Sequence, residues 1–109
     1  MSLVNLQVQD DYPDTDSLTF SALADPVRRD IVARLAAEGP MTVGKLSEPF
    51  QISAPAISRH LSILERAGMI RRSVDRQWRV CMLVANGLEG PRDWLETVLS
   101  KAALQDEDA

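Results

Sequence analysis

The sequence contains few of the residues on which metal sites and most catalytic sites depend. Its 109 residues include one cysteine, Cys81, and one histidine, His60. One cysteine excludes an internal disulfide, and one residue of each type is too few for a zinc site built from thiolates and imidazoles. A glycine-rich phosphate loop and a Ser-His-Asp or Cys-His constellation are also absent. We therefore expect no metal, no cofactor and no enzymatic activity.

Long apolar segments are absent as well. The N-terminal segment MSLVNLQVQDDYPD has neither the basic start nor the long apolar core of a signal peptide. No run approaches the roughly 18 apolar residues of a membrane span. A chain of 109 residues ordinarily folds as one domain with its own hydrophobic core. These features predict a single-domain cytoplasmic protein.

The net charge of −4 argues against a nucleic-acid partner until its distribution is considered. Residues 1–16 contain four acids and no base, and residues 85–109 contain six acids against two bases, so each end carries −4. Residues 17–84 contain ten bases and six acids, which gives +4, and all of this excess lies in residues 53–84. Because the local field decides where a polyanion binds, residues 53–84 are the candidate nucleic-acid surface.

Helix caps and turn residues divide the chain into short elements. Residues 1–16 are acidic and are expected to form a flexible arm, residues 17–105 the folded domain, and residues 106–109 an acidic tail. The pattern predicts helices at residues 16–24, from the Asp25 cap to the Gly39-Pro40 stop, from the Thr42 cap to Pro49, at 54–67 and at 90–104, with strands at 70–74 and 77–84. This order predicts a mainly α protein with a β-hairpin wing, the winged helix-turn-helix arrangement.

The segment SAPAISRHLSILERAG has the pattern of a helix whose first turns approach another surface. At about 100° per residue, Ile57, Leu61 and Leu64 share one face, while Arg59 and Ser62 lie on the other. Small residues at its start let the backbone come close to that surface, and arginine can donate two hydrogen bonds to guanine. The alternative is a solvated amphipathic helix whose polar face has no partner. We interpret the segment as a DNA-recognition helix.

Four arginines of the predicted hairpin suggest a second DNA contact. Arg71, Arg72, Arg76 and Arg79 stand against one acid, Asp75. They can serve simply to keep an edge strand soluble. So dense a group of guanidinium groups, however, suits a wing that lies along the phosphate backbone or in the minor groove.

Two side chains of the second predicted strand are expected to be buried. Trp78 shares a face with Val80 and Met82, which predicts a core position between hairpin and helices. Cys81 lies on the other face with Leu83 and is expected to be a small buried hydrophobe. A thiol that senses oxidants would be exposed, with a lowered pKa and a resolving partner. A redox-responsive regulator that uses Cys81 stays open as an alternative.

The segment from Leu18 to Leu83 resembles the ArsR/SmtB family of bacterial winged-helix repressors. The resemblance is carried by ALADPVRR, TVGKLSEPF and SAPAISRHLSILERAGMI. It implies a homodimer that binds an inverted-repeat operator and represses transcription, with the first and last helices at the dimer interface. The family's metal sensors carry Cys-x-Cys in the helix that reads TVGKLSEPF here, or histidine in the last helix, and this sequence has neither.

The predicted DNA contacts combine the recognition helix with the wing. His60 lies between the two helix faces and either forms a hydrogen bond within the domain or contacts a phosphate. A winged-helix module that binds an acidic protein through this same face is an alternative of a different functional class. The predicted contact residues are Ser53, Ala54, Ala56, Ser58, Arg59, His60, Ser62, Arg71, Arg72, Arg76, Gln77 and Arg79.

Apolar side chains near both ends of the domain exceed what its small core requires. Two-fold pairing is the commonest way in which such surfaces are covered. We therefore expect double-stranded DNA and a second copy of the chain as the partners. The predicted dimer residues are Leu18, Phe20, Leu23, Trp94, Leu95, Val98, Leu99 and Ala102.

Overall fold

The computed structural model describes residues 14–108, with side chains described as far as residue 106. Most of the predicted arm lies outside these residues; Asp14 caps the first helix, and Thr15 and Asp16 belong to it. The α-helices are α1 (Thr15–Ala22), α2 (Pro26–Glu38), α3 (Val43–Ser47), α4 (Ala54–Arg66) and α5 (Glu89–Asp108). The strands are β1 (Met41–Thr42), β2 (Ile70–Asp75) and β3 (Trp78–Leu83), and a 3-10 helix spans Ala85–Leu88.

Side-chain caps begin the first four helices. The residues Asp14, Asp25, Thr42 and Ser53 each accept a hydrogen bond from a backbone N–H of the first turn. These N–H groups have no partner within the helix, so each cap stabilises its helix by about 1 kcal/mol. α2 ends at Gly39, whose φ of 85° favours glycine. The predicted starts of α2, α3 and α4 are therefore confirmed.

Three antiparallel strands form one sheet in the order β1-β3-β2. The β2–β3 hairpin is paired from Ile70 opposite Leu83 to Asp75 opposite Trp78. At its tip Arg76 has a φ of 60°, a left-handed conformation that turns often require. The two-residue β1, which pairs Met41 with Cys81, is too short for sequence periodicity to indicate. It ties the wing to the start of α3.

The core lies where α2, α3 and α4 meet the base of the hairpin. The predicted inward stripe of α4 is confirmed, because Ile57, Leu61 and Leu64 are all buried. Each such aliphatic side chain contributes on the order of 2 kcal/mol by leaving water. Fully buried partners come from each neighbouring element: Ile31, Leu35, Leu46, Met69 and Cys81. This packing fixes α4 to the domain by one face and leaves the other outside.

The prediction that Trp78 packs in the core is wrong. Trp78 lies at the tip of the hairpin and is 55% exposed. The face of the hairpin that packs against the helices carries Ile70, Cys81 and Leu83, and alternation along β3 places Trp78 on the other face. Alternation identifies two faces of a strand but does not say which one the helices cover.

The last helix is longer than predicted, and most of its side chains are exposed. It continues to Asp108 rather than ending near Leu104, because no glycine or proline follows to stop it. The acidic residues predicted as a tail therefore belong, as far as Asp108, to α5. Every side chain from Arg92 to Asp106 is exposed. Within residues 14–108, no helix combines the length and apolarity needed to cross a membrane.

Candidate nucleic-acid interface

The N-terminal turns of α4 present a polar, sterically open surface. Ser53, Ala54, Ser58 and Arg59 are exposed, and Ala56 is half-buried. Because the opposite face of α4 is anchored in the core, these residues are held outward in one orientation. Small side chains on the first turn let the helix backbone approach a groove of duplex DNA closely.

An open groove of about 520 Å³ separates this helix end from the wing. Ala54 and Ser58 line one side, and Gln77 and Arg79 line the other. Arg72 also lines it, and no carboxylate is among the lining residues. Predicted contacts from the helix and from the wing thus share one groove, in which the unpaired charge of Arg79 suits a polyanion.

Most of the predicted arginines are available to a partner. Arg59, Arg71, Arg76 and Arg79 are all exposed. The ion pairs within residues 14–106 use other bases, namely Arg34, His60, Arg72 and Arg92. The positive charge of the four exposed arginines is therefore not neutralised by a carboxylate of the described chain.

Arg72 differs from these four because it is half-buried and paired. Its Nη2 and Nε donate to Oε1 of Glu65 at 2.8 and 3.1 Å, and its backbone N–H donates to Oε2 at 3.4 Å. Nη2 also donates to Oγ of Ser62 at 3.1 Å. The hydrogen bond from Arg72 holds the pKa of Glu65 below its usual value, although burial opposes this. Two predicted DNA contacts, Ser62 and Arg72, are thus engaged within the domain.

His60 faces α2 rather than the groove. Its Nδ1 lies 3.1 Å from Nη1 of Arg28 and 3.9 Å from Oδ2 of Asp25. Burial raises the pKa of Asp25, but the Arg28 backbone N–H, His60 and the Arg28 charge outweigh it and leave that pKa lowered. Arg28 also donates to the carbonyl of Ala22 at 2.6 Å. This arrangement favours the internal hydrogen-bonded role for His60, and its contact with phosphate stays a prediction.

Cys81 is fully buried. Burial raises the pKa of its thiol above the ordinary value, so the reactive thiolate is disfavoured at neutral pH. The prediction of a small buried hydrophobe is confirmed. These surroundings are the opposite of those that a redox-sensing thiol requires.

The predicted dimer residues fall into two groups. Leu18 and Leu23 are half-buried and pack against the core. The others are exposed, and the ring of Phe20 lies edge-on to that of Trp94 with centroids 5.8 Å apart and planes at 77°. The exposed members on α5 are Trp94, Leu95, Val98, Leu99 and Ala102. Together with Phe20 they form the α1–α5 surface.

Sequence reasoning missed Glu65 as a partner of Arg72. It also missed three residues that line the groove: Thr42, the cap of α3, and Val43 and Ser47 of α3 itself. No sequence pattern links Glu65 to Arg72, because Glu65 lies on a helix and Arg72, seven positions later, lies on a strand. The α3 residues could have been inferred from the helix-turn-helix arrangement, in which the first helix crosses the DNA backbone.

Known proteins that are similar to this chain include transcriptional regulators. A family model described as a helix-turn-helix domain matches residues 23–73. The HTH-type transcriptional regulator Rv2034 of Mycobacterium tuberculosis is 39% identical over 83 residues, which cover 76% of this chain and 77% of that protein. The transcriptional repressor SdpR of Bacillus subtilis is 37% identical over 82 residues, covering 75% and 90%.

A solved structure that is similar to this chain is also that of a transcriptional regulator. The crystal structure of the ArsR family transcriptional regulator RHA00566 superposes with a TM-score of 0.76 at 31% identity. The match covers 83% of this chain and 98% of that one. The similarity therefore extends over the whole winged helix-turn-helix and not only over the recognition helix.

Proposed function

Since the chain belongs to the ArsR family of helix-turn-helix transcriptional regulators, we propose that it represses transcription as a homodimer bound to an inverted-repeat operator. The observation that carries this proposal is that α4 and the wing, which share a groove, both present exposed arginines: Arg59 on α4 and Arg71, Arg76 and Arg79 on the wing. The relative SdpR, a transcriptional repressor, supports the direction of regulation.

The first turns of α4 enter the major groove of the operator. Ser58 and Arg59 reach base edges, and Arg59 can donate two hydrogen bonds to a guanine. Ser53, Ala54 and Ala56 let the helix come close to the DNA. The exposed wing arginines, with Gln77 beside them, follow the adjacent phosphate backbone and supply affinity that falls as salt rises.

Pairing of the α1–α5 surface builds the dimer. An isolated helix is marginal in water, and most helical stability comes from packing an apolar face. From Trp94 onward the apolar side chains of α5 are exposed, with Leu99 67% and Trp94 55% exposed, and exposed apolar surface of this kind supports an interface. Two-fold pairing would set the two copies of α4 about one helical turn, ~34 Å, apart on the DNA.

Selection from a random-sequence duplex pool tests this proposal. We expect the protein to enrich an inverted repeat whose half-sites lie about one helical turn apart. Binding is then measured by fluorescence anisotropy at several salt concentrations, against a scrambled duplex of equal composition. Equal affinity for both duplexes, or no enrichment, would favour the protein-binding alternative.

Repression is tested separately. A promoter that carries the selected inverted repeat is transcribed in vitro with increasing amounts of the protein. We expect the transcript to decrease with the occupancy measured by anisotropy, and a promoter with the scrambled repeat to be unaffected. An increase in transcript would reverse the sign of regulation and leave DNA binding intact.

A further inference from the structure

The hairpin leaves the body of the domain at Arg72. The residues before it on the chain, Met69 and Ile70, are buried in the core, and Cys81, which pairs with it across the hairpin, is buried as well. Every residue from Ser73 to Arg79 is exposed. Arg72 is therefore the last residue of β2 that is not exposed.

Glu65 fixes Arg72 from the last turns of α4. Its two carboxylate oxygens accept three hydrogen bonds, two from the guanidinium group and one from the backbone of Arg72. The guanidinium also donates to Ser62, one turn earlier on the same helix. A planar guanidinium held at several points constrains direction as well as distance. The orientation of the hairpin is thereby coupled to that of α4.

We propose that Glu65 and Arg72 form a latch that positions the wing relative to the recognition helix, and that Arg72 does not contact phosphate. This inference rests on the proposed DNA binding. Arg72 donates its Nε and Nη2 to partners within the chain, and Glu65 offsets its charge. The wing contacts then come from the exposed arginines beyond it, Arg76 and Arg79, together with Arg71.

A latch changes DNA affinity by pre-organisation. If the wing is already held in its bound orientation, it loses little conformational entropy when DNA binds, and the affinity is higher. Loss of the latch should therefore weaken only those complexes in which the wing touches DNA. A residue needed merely for folding would weaken every complex alike, and this difference makes the positioning role measurable.

The test uses the double variant Glu65→Gln/Arg72→Gln, which removes the latch and leaves the net charge unchanged. Binding is measured to the duplex selected by the native protein and to a truncated duplex that lacks the outer base pairs protected by the wing. On the full duplex we expect a loss of roughly 5- to 10-fold. On the truncated duplex native and variant proteins should bind within about twofold of each other.

The salt dependence separates a latch from a phosphate contact. The slope of log K against log salt should be the same for the native protein and the double variant. The matched control Arg76→Gln, at the hairpin tip, should flatten the slope by about one for each phosphate contact that it removes. A slope that flattens equally in the double variant would place Arg72 on phosphate and overturn the proposal.

A charge exchange provides a second and independent measurement. Arg72→Glu alone should weaken binding to the full duplex by more than tenfold, because it leaves two carboxylates side by side near a polyanion. Adding Glu65→Arg should recover most of that loss. If the exchanged variant Glu65→Arg/Arg72→Glu binds as weakly as Arg72→Glu alone, the latch is overturned. An equal loss of affinity on both duplexes for Glu65→Gln/Arg72→Gln would overturn it as well. Failure of the native protein to select any duplex would instead refute the proposed function.

Discussion

The α4–wing groove and the α1–α5 surface differ in how far a single chain completes them. The groove is held in place by contacts within the domain: Ser53 caps α4, which lines it, and Glu65 holds the lining residue Arg72. On α5, no side chain from Arg92 to Asp106 is buried. One chain therefore holds the groove of the proposed DNA surface in place by itself, whereas the apolar side chains of α5 from Trp94 onward are left exposed.

The two regions also differ in charge. Residues 53–84 carry six bases against two acids, and residues 85–109 carry six acids against two bases. A polyanion is attracted to the first region and repelled by the second. The second region also carries exposed apolar side chains among its acids. A second copy can pair with it if the apolar side chains of the two copies pack together and the acids stay in solvent. This division of charge supports DNA as the proposed partner of the first region and a second copy of the chain as the proposed partner of the second.

Trp94→Asp should have the largest effect. The change places a charge on the apolar α1–α5 surface beside Phe20, and desolvating that charge on pairing is costly. We expect monomers by sedimentation at concentrations at which the native protein is dimeric. Operator affinity should fall by about 100-fold or more, because a monomer reads one half-site.

Ser100→Asp is the matched control for this change. Ser100 is exposed on the same helix, and at about 100° per residue it lies opposite the apolar stripe. It should leave the dimer intact. Dimers that persist in Trp94→Asp would place the interface elsewhere.

Arg59→Ala should have the next largest effect. Loss of a bidentate contact with a base costs roughly 1–3 kcal/mol and relaxes specificity at that base pair. The measurement is a titration with the selected operator and with single-base variants of it. Arg66→Ala is the control, since Arg66 is also an exposed arginine of α4 but lies two turns further from the helix start. A change below a few tenths of a kcal/mol would remove Arg59 from the base contacts.

Local chemistry made the elements of this fold predictable. Asp25, Thr42 and Ser53 are cap residues placed directly before apolar periodicity, and Gly39 is placed where a left-handed conformation ends α2. Such signals act over one turn of chain, so they can be read from sequence. The inward stripe of α4 follows in the same way from the helical period.

Contacts between elements were not predictable by these means. The sequence suggested that Trp78 is buried and Arg72 is open, and the structure has Trp78 exposed and Arg72 paired with Glu65. Both outcomes depend on which face of the hairpin meets the helices. That choice is made by packing of Ile70 and Cys81 against the core, a long-range effect that alternation along one strand does not encode.

Removal of single exposed wing arginines should weaken binding most at low salt and so reduce its salt dependence. For Arg71→Gln or Arg79→Gln we expect the slope of log K against log salt to flatten by about one per phosphate contact. Lys101→Gln on α5 is the control and should not change the slope. A wing whose variants all keep the native slope would not lie on the phosphate backbone.

The smallest expected effect is on stability at low pH, where a carboxylate beside the groove and one on α5 should behave differently. The hydrogen bond from Arg72 lowers the folded-state pKa of Glu65, so the stability that this group contributes is present above its unfolded pKa. That stability is lost as the pH falls through the lower folded pKa. We therefore expect the free energies of unfolding of native protein and Glu65→Gln, measured by urea denaturation, to differ at neutral pH and to converge once the pH falls below the lowered folded-state pKa of Glu65. Glu96→Gln changes an exposed carboxylate of α5 and should follow the native curve throughout. Parallel curves for Glu65→Gln would mean that the Glu65–Arg72 pair is as solvated as the acids of α5, and the contrast between a completed and an uncompleted surface would lose its electrostatic basis.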